Sequence, residues 1–110
     1  MGMASAARVA FCFAFMFAVT MALVPHPLSV PAGDKYQHMA AFGTLTVLAA
    51  AGWPRTDLLR IGERLSFLGA LIEVVQSIPA LHRDCDIMDW LADTAIIVGV
   101  LLVVALYRRR

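Results

Sequence analysis

Residues 88–107 read MDWLADTAIIVGVLLVVALY, and this stretch decides the fold. It approaches the ~20 residues an α-helix needs to cross ~30 Å of hydrocarbon, and its two charges, Asp89 and Asp93, both sit near one end. It runs out through Leu106 and Tyr107 into Arg108-Arg109-Arg110, an aromatic-then-basic edge of the kind that settles at a membrane interface. The reading is a membrane-spanning helix.

Working outward, three more apolar stretches of similar length cover about 7–24, 36–53 and 62–80. Val24-Pro25-His26-Pro27 and Val30-Pro31-Ala32-Gly33 punctuate the first gap, and Trp53-Pro54-Arg55 ends the second stretch. Residues 62–80 contain Glu63, Arg64 and Glu73, yet their composition suits a helix and they are kept as a span. Of all 110 residues, 61% are hydrophobic and 15% charged, more apolar surface than a soluble domain of this size can bury. The expected fold is an all-α membrane protein, a four-transmembrane-helix bundle forming one domain over 1–110.

Arg8, the group Arg55, Arg60 and Arg64, and Arg108 to Arg110 place seven basic residues on one side, against Lys35 and Arg83 on the other. Basic residues concentrate on the cytoplasmic side, so both termini are expected inside the inner membrane of a bacterium. The first stretch follows Arg8 as a secretory signal would, but no small-x-small site precedes the prolines, and it is expected to be retained. A net charge of +1 with no basic stripe points away from nucleic acid. Cys12 and Cys85 fall near opposite faces, too far apart for a disulfide, and neither belongs to a zinc motif. No cofactor is expected.

In this topology Asp34, Lys35 and His38 open the second helix on the outer side, and Arg83, Asp84, Asp86 and Asp89 lead into the fourth. Asp34 and His38 share a helix face, as do Asp89 with Asp93 and Glu73 with Gln76. Counted inward from the outer ends, Glu73 and Asp93 come to a similar depth of about 10 Å. An ionisable group so deep is costly unless paired, neutralised or wetted, so these side chains are expected to face one another or a common cavity. Helix adhesion alone would also use such polar contacts, and that reading weighs evenly for Lys35 with Asp89 or Asp34. His26, His82, Asp84 and Asp86 read as solvated loop residues, and Tyr36, Trp53, Trp90 and Tyr107 as interface markers.

Gly33-Asp34-Lys35-x-x-His38-x-x-Ala41-Phe42, then Ile72-Glu73-x-x-Gln76, then Arg83 with Asp89-x-Leu91-Ala92-Asp93-Thr94 six residues later, resemble the three ordered motifs of VanZ-like membrane proteins. The resemblance covers about 33–99 and implies functional positions at Asp34, Lys35, His38, Glu73, Gln76, Arg83 and Asp89, with Asp93 at an Asn/Asp position. It departs at Ile96, where the family usually carries Gly, and at Pro79-Ala80-Leu81-His82, where relatives often have a Pro-Gly turn. A bulky residue at 96 would hold the fourth helix off its neighbour.

Three functions follow. The first is binding or remodelling of a cell-envelope component, a lipid-linked or peptidoglycan-related molecule, by the outward-facing cluster. The second is a membrane enzyme with Glu73 or Asp89 as acid/base and His38 as its partner, although no nucleophile motif accompanies them. The third is a proton-coupled carrier in which Glu73 and Asp93 titrate; with so few helices it would need a homo-oligomer.

Overall fold

The computed structural model describes residues 2–23, 33–78 and 87–109, and these are helical apart from the turn after α2 and short ends. Four α-helices follow in order: α1 Met3–Leu23, α2 Gly33–Gly52, α3 Leu58–Gln76 and α4 Ile87–Arg108. The side chains of 33–36 and of Gln76, and all of 79–86 with Arg83, lie outside the described residues.

The boundaries differ from expectation in an instructive way. α1 starts at Met3, because Ala4, Ser5, Ala6 and Ala7 carry no bulk that opposes a helix, so Arg8 lies inside the helix and not ahead of it. α3 starts at Leu58 behind Asp57, which takes the N-cap position with φ −58° and ψ 132° but makes no side-chain capping bond. Arg60 is therefore helical, together with Glu63 and Arg64 of the expected span. The turn between α2 and α3 is tight: Pro54 follows Trp53, and the Thr56 amide donates to the Trp53 carbonyl at 3.0 Å.

α2 is the centre of the assembly. α1 and α4 pack on its two sides, and α3 packs chiefly on α4 while also touching α2 and α1. Leu45 and Ile97, each 1% exposed, form the middle of the core with Phe42, Ala49, Ile61, Leu65 and Ile72. Small residues on α2 let its neighbours approach. Ile96 does not hold the helices apart, since Gly43 lies across from it: a Cβ on Gly43 would stand 3.5 Å from Ile96 Cγ1.

One end of the molecule is closed by arginine. Arg8 Nε of α1 donates to the Gly52 carbonyl at 2.8 Å, and an Arg108 guanidinium nitrogen of α4 donates to the Ala50 carbonyl at 2.9 Å. These are carbonyls of the last turn of α2, which have no partner inside the helix and carry its negative pole. The two bonds also fix directions: the start of α1 and the ends of α2 and α4 share this end. The short turn brings the start of α3, with Arg60 and Arg64, to the same place. Among the described residues Arg8, Arg55, Arg60, Arg64, Arg108 and Arg109 lie at this arginine end, and Glu73, Asp89 and Asp93 lie toward the opposite one.

α1 and α4 are long and apolar enough to cross a membrane, yet only 11% of the apolar window of each is buried. Core helices of a soluble domain would be mostly buried. What they expose is large and apolar: Phe13, Met16, Phe17 and Met21 on α1, and Leu102, Val103 and Leu106 on α4. Phe11 and Phe15 turn inward, stacked at 6.1 Å, and Phe11 meets Trp53 edge-on at 5.2 Å. α3 shows the same sorting, with Phe67, Leu71 and Val74 outside and Glu73 inside.

A Cβ at Gly52 would lie 3.0 Å from Arg8 Cγ and 3.2 Å from its backbone nitrogen, whereas one at Gly99 would meet nothing within 4 Å. The backbone atom cannot step aside as a side-chain end can. Gly52→Ala should lower stability by about 1–3 kcal/mol in a detergent melt followed by circular dichroism, and Gly99→Ala should leave it unchanged or raise it. Equal melting of the two variants would remove the close α1–α2 contact.

Candidate functional site: a polar cluster at one end

Gly69 is where three helices meet, for a Cβ there would stand 3.4 Å from Phe42 Cζ of α2 and 3.4 Å from Trp90 Cδ1 of α4. His38 is about one turn from Phe42, and Glu73 about one turn from Gly69, each toward the end away from the arginines. Asp89 adjoins Trp90, and Asp93 is about one turn past it in the other direction. Side chains expected from the sequence to gather thus belong to neighbouring levels of one region. Asp34 and Lys35 begin α2 at this same end in backbone; their side chains, that of Gln76, and Arg83 lie outside the described residues.

The cluster is sheltered. Glu73 is 8% and Asp93 3% exposed, while His38 and Asp89 are half-buried, and both His38 Nε2 and Asp93 Oδ1 are withdrawn from the surface. The expectation of equal depth for Glu73 and Asp93 is corrected. Gly62 faces Leu101 and Ile97, Ser66 faces Thr94, and Gly69 faces Trp90, a register that sets Asp93 level with Ser66. Glu73 lies about two turns farther from the arginine end, opposite the first residues of α4. The reason is that α3 stops at Gln76, so Glu73 is in its last turn and less deep than a span to residue 80 implied.

Beneath the cluster lies a polar seam that sequence reasoning missed. Ser66 Oγ and Thr94 Oγ1 share a hydrogen bond at 3.0 Å, and Trp90 Nε1 donates to the Ser66 carbonyl at 2.9 Å. Trp90 is thus a structural donor joining α4 to α3, and more than an interface marker. On α2, fully buried Thr46 turns its hydroxyl to the Phe42 carbonyl at 2.6 Å, satisfied within its own helix. The available signal was spacing: Ser66 and Glu73 are seven apart and share a face, and Thr94 directly follows Asp93. Leu45 and Leu65 pack at the level of the seam, and about one turn deeper come Ile97, Ile61 and Ala49, an apolar layer between the seam and the arginine end.

This arrangement can accept hydrogen bonds, balance a positive group and exchange protons through imidazole and carboxylate. No group of three or more His, Cys, Asp or Glu suited to a metal occurs among the described residues. Ser77, the hydroxyl nearest Gln76 in sequence, is exposed and bonded to the Val74 carbonyl, which is helix-end bonding and not nucleophile activation. Cys12 is a free thiol on the exposed side of α1.

If the seam joins α3 to α4 as placed, a double-mutant cycle of Ser66→Ala and Thr94→Val should return a coupling of about 1 kcal/mol in detergent unfolding. A coupling indistinguishable from zero would contradict the hydroxyl pair. Comparison with known proteins finds no family model, no curated protein and no solved structure that matches this chain.

Proposed function

We propose that the chain is an integral bacterial inner-membrane protein of the VanZ-like type, with four spans and both termini cytoplasmic, whose polar cluster faces outward and binds or acts on a cell-envelope component. The observation that carries this reading is the sorting of side chains. Polar and ionisable groups, Thr46, Glu73 and Asp93, are inside, and Phe13, Phe17, Phe67, Leu102 and Val103 are outside. In water that arrangement exposes apolar surface and buries charge, two costs at once. In lipid it is the low-energy one.

Lengths agree with four spans. At about 1.5 Å per residue, helices of 19 to 22 residues measure roughly 28–33 Å, close to the ~30 Å hydrocarbon layer. α2 owes its modest hydropathy to a polar start and to Gly, Ala and Thr at packed positions. α3 is lowered by Arg60, Glu63 and Arg64 near one end and Glu73 near the other. The arginine end then faces the cytoplasm. The cluster at the other end, sealed beneath by the apolar layer, suits a ligand that arrives from outside and offers a cationic or donor-rich group, as lipid-linked or peptidoglycan-related molecules do. That seal favours binding over through-transport.

Sidedness is tested by cysteines introduced singly at Asp34, Asp57 and Asp84 in a chain with Cys12 and Cys85 replaced by Ser. Positions 34 and 84 should react with an impermeant maleimide in intact spheroplasts, and position 57 only after permeabilisation; the reverse pattern would invert the topology. For the ligand, the purified protein incubated with an envelope lipid extract should retain a species detectable by mass spectrometry, and Glu73→Gln should weaken that retention about tenfold or more. Equal retention by the variant would dismiss Glu73 as a contact.

A further inference from the structure

The outward face of α3 is ordered along its length. Arg60, Arg64, Phe67, Leu71 and Val74 follow one another at steps of four, three, four and three residues, so they form one stripe, and all are exposed. The stripe is basic at the start of the helix and apolar beyond. Phe67 is 64%, Leu71 45% and Val74 65% exposed, so no other element among the described residues covers it. Helix side chains lean toward the N-terminus, which carries the two guanidinium groups toward the arginine end while the apolar members stay at depth.

We propose that this stripe binds an anionic phospholipid of the leaflet at the arginine end, Arg60 and Arg64 holding the phosphate and Phe67, Leu71 and Val74 lying along an acyl chain. The proposal rests on the membrane-embedded reading above. Charge complementarity selects the occupant. The arginine end carries Arg8, Arg55, Arg60, Arg64, Arg108 and Arg109 against Asp57 and Glu63 among the described residues, so a zwitterionic headgroup gains less there than an anionic one. Arg8 and Arg108 are already committed to the carbonyls of α2, which leaves the α3 pair better placed to take a phosphate. Dimensions select it too. Val74 is ten residues from Arg64, about 15 Å along the axis, long enough for the apolar members to lie along one acyl chain while the guanidinium groups reach back to its headgroup. The uncapped first turn of α3 adds backbone N–H groups and the positive helix pole near the same phosphate.

The test uses the full chain purified in mild detergent, offered phosphatidylglycerol and phosphatidylcholine in equal amounts, with retained lipid counted by native mass spectrometry. Phosphatidylglycerol should be preferred, the double variant Arg60→Gln/Arg64→Gln should reduce that preference about thirtyfold, and Arg109→Gln should leave it near the parent value. Equal preference in parent and double variant, or an equal loss in Arg109→Gln, overturns the site. Displacement of the lipid by soluble glycerol phosphate at comparable concentration would also overturn it, because the acyl contacts would then contribute nothing. If the double variant does not accumulate, salt decides on the parent: the preference should fall as sodium chloride rises toward 1 M, and a salt-independent preference overturns the proposal. Extraction of the parent chain from membranes by alkaline carbonate would instead sink the membrane reading itself.

Discussion

The constraint on which the rest depends is the cost of placing a carboxylate in a low-dielectric medium. Around the levels of Glu73 and Asp93 the outward residues of α3 and α4 are apolar, and a charge turned outward from either would stand among Leu71 and Val74 or Leu91 and Val98. The rotation of α3 and α4 about their axes is therefore decided by two side chains. Once Glu73 and Asp93 face inward, Ser66, Thr94 and Trp90 come into one seam, and Phe67, Leu71, Val74, Leu102 and Val103 are left outside. Apolar packing alone would specify this rotation poorly, since Leu and Val are equally at ease against lipid or against another helix.

The two ends solve different problems. At the arginine end, carbonyls of α2 are satisfied by guanidinium groups from α1 and α4, which ties the first and last helices to the central one by directional bonds. At the other end, titratable groups gather around and above a hydroxyl seam, over an apolar floor that includes Ile61 and Ile97. Side chains as tightly enclosed as these leave little room for a polar path between the ends. An unbroken apolar layer under the titratable groups suits binding better than passage, since a carrier would have to break the packing around Ile97 and Ile61 in each cycle.

The existence of four helices was legible because apolar runs of near-spanning length between Pro and Gly punctuation leave little alternative. So was the asymmetric charge, which needs only counting. The start of α3 was not legible from hydropathy, because Arg60 stands ahead of the apolar run that begins at Gly62 and reads as a loop residue until the helix is seen to start at Leu58. Depth failed for a related reason. The register of α3 against α4 is set by where Gly62 and Gly69 admit Leu101 and Trp90, a matter of shape that counting from loop ends cannot reach. Ile96 shows the same limit, since its consequence depended on Gly43, more than fifty residues away in sequence.

Helix dipoles separate the residues of the cluster by what they cost their own helix. Asp89 stands in the first turn of α4, and Arg108 in its last, the placement the macrodipole favours, so both are explained by the stability of α4 alone. α3 is the opposite case. It has no acid in its first turn and no base in its last; instead Arg60 and Arg64 lie near its positive pole and Glu73 in its last turn, near the negative one. Arg60 in the first turn and Glu73 in the last each oppose the helix by a few tenths of a kcal/mol, and Glu73 adds the larger cost of burial. A residue that costs its helix twice is held in place by something other than the helix. That argument sets Glu73 ahead of Asp89 as the group around which the proposed ligand would be organised.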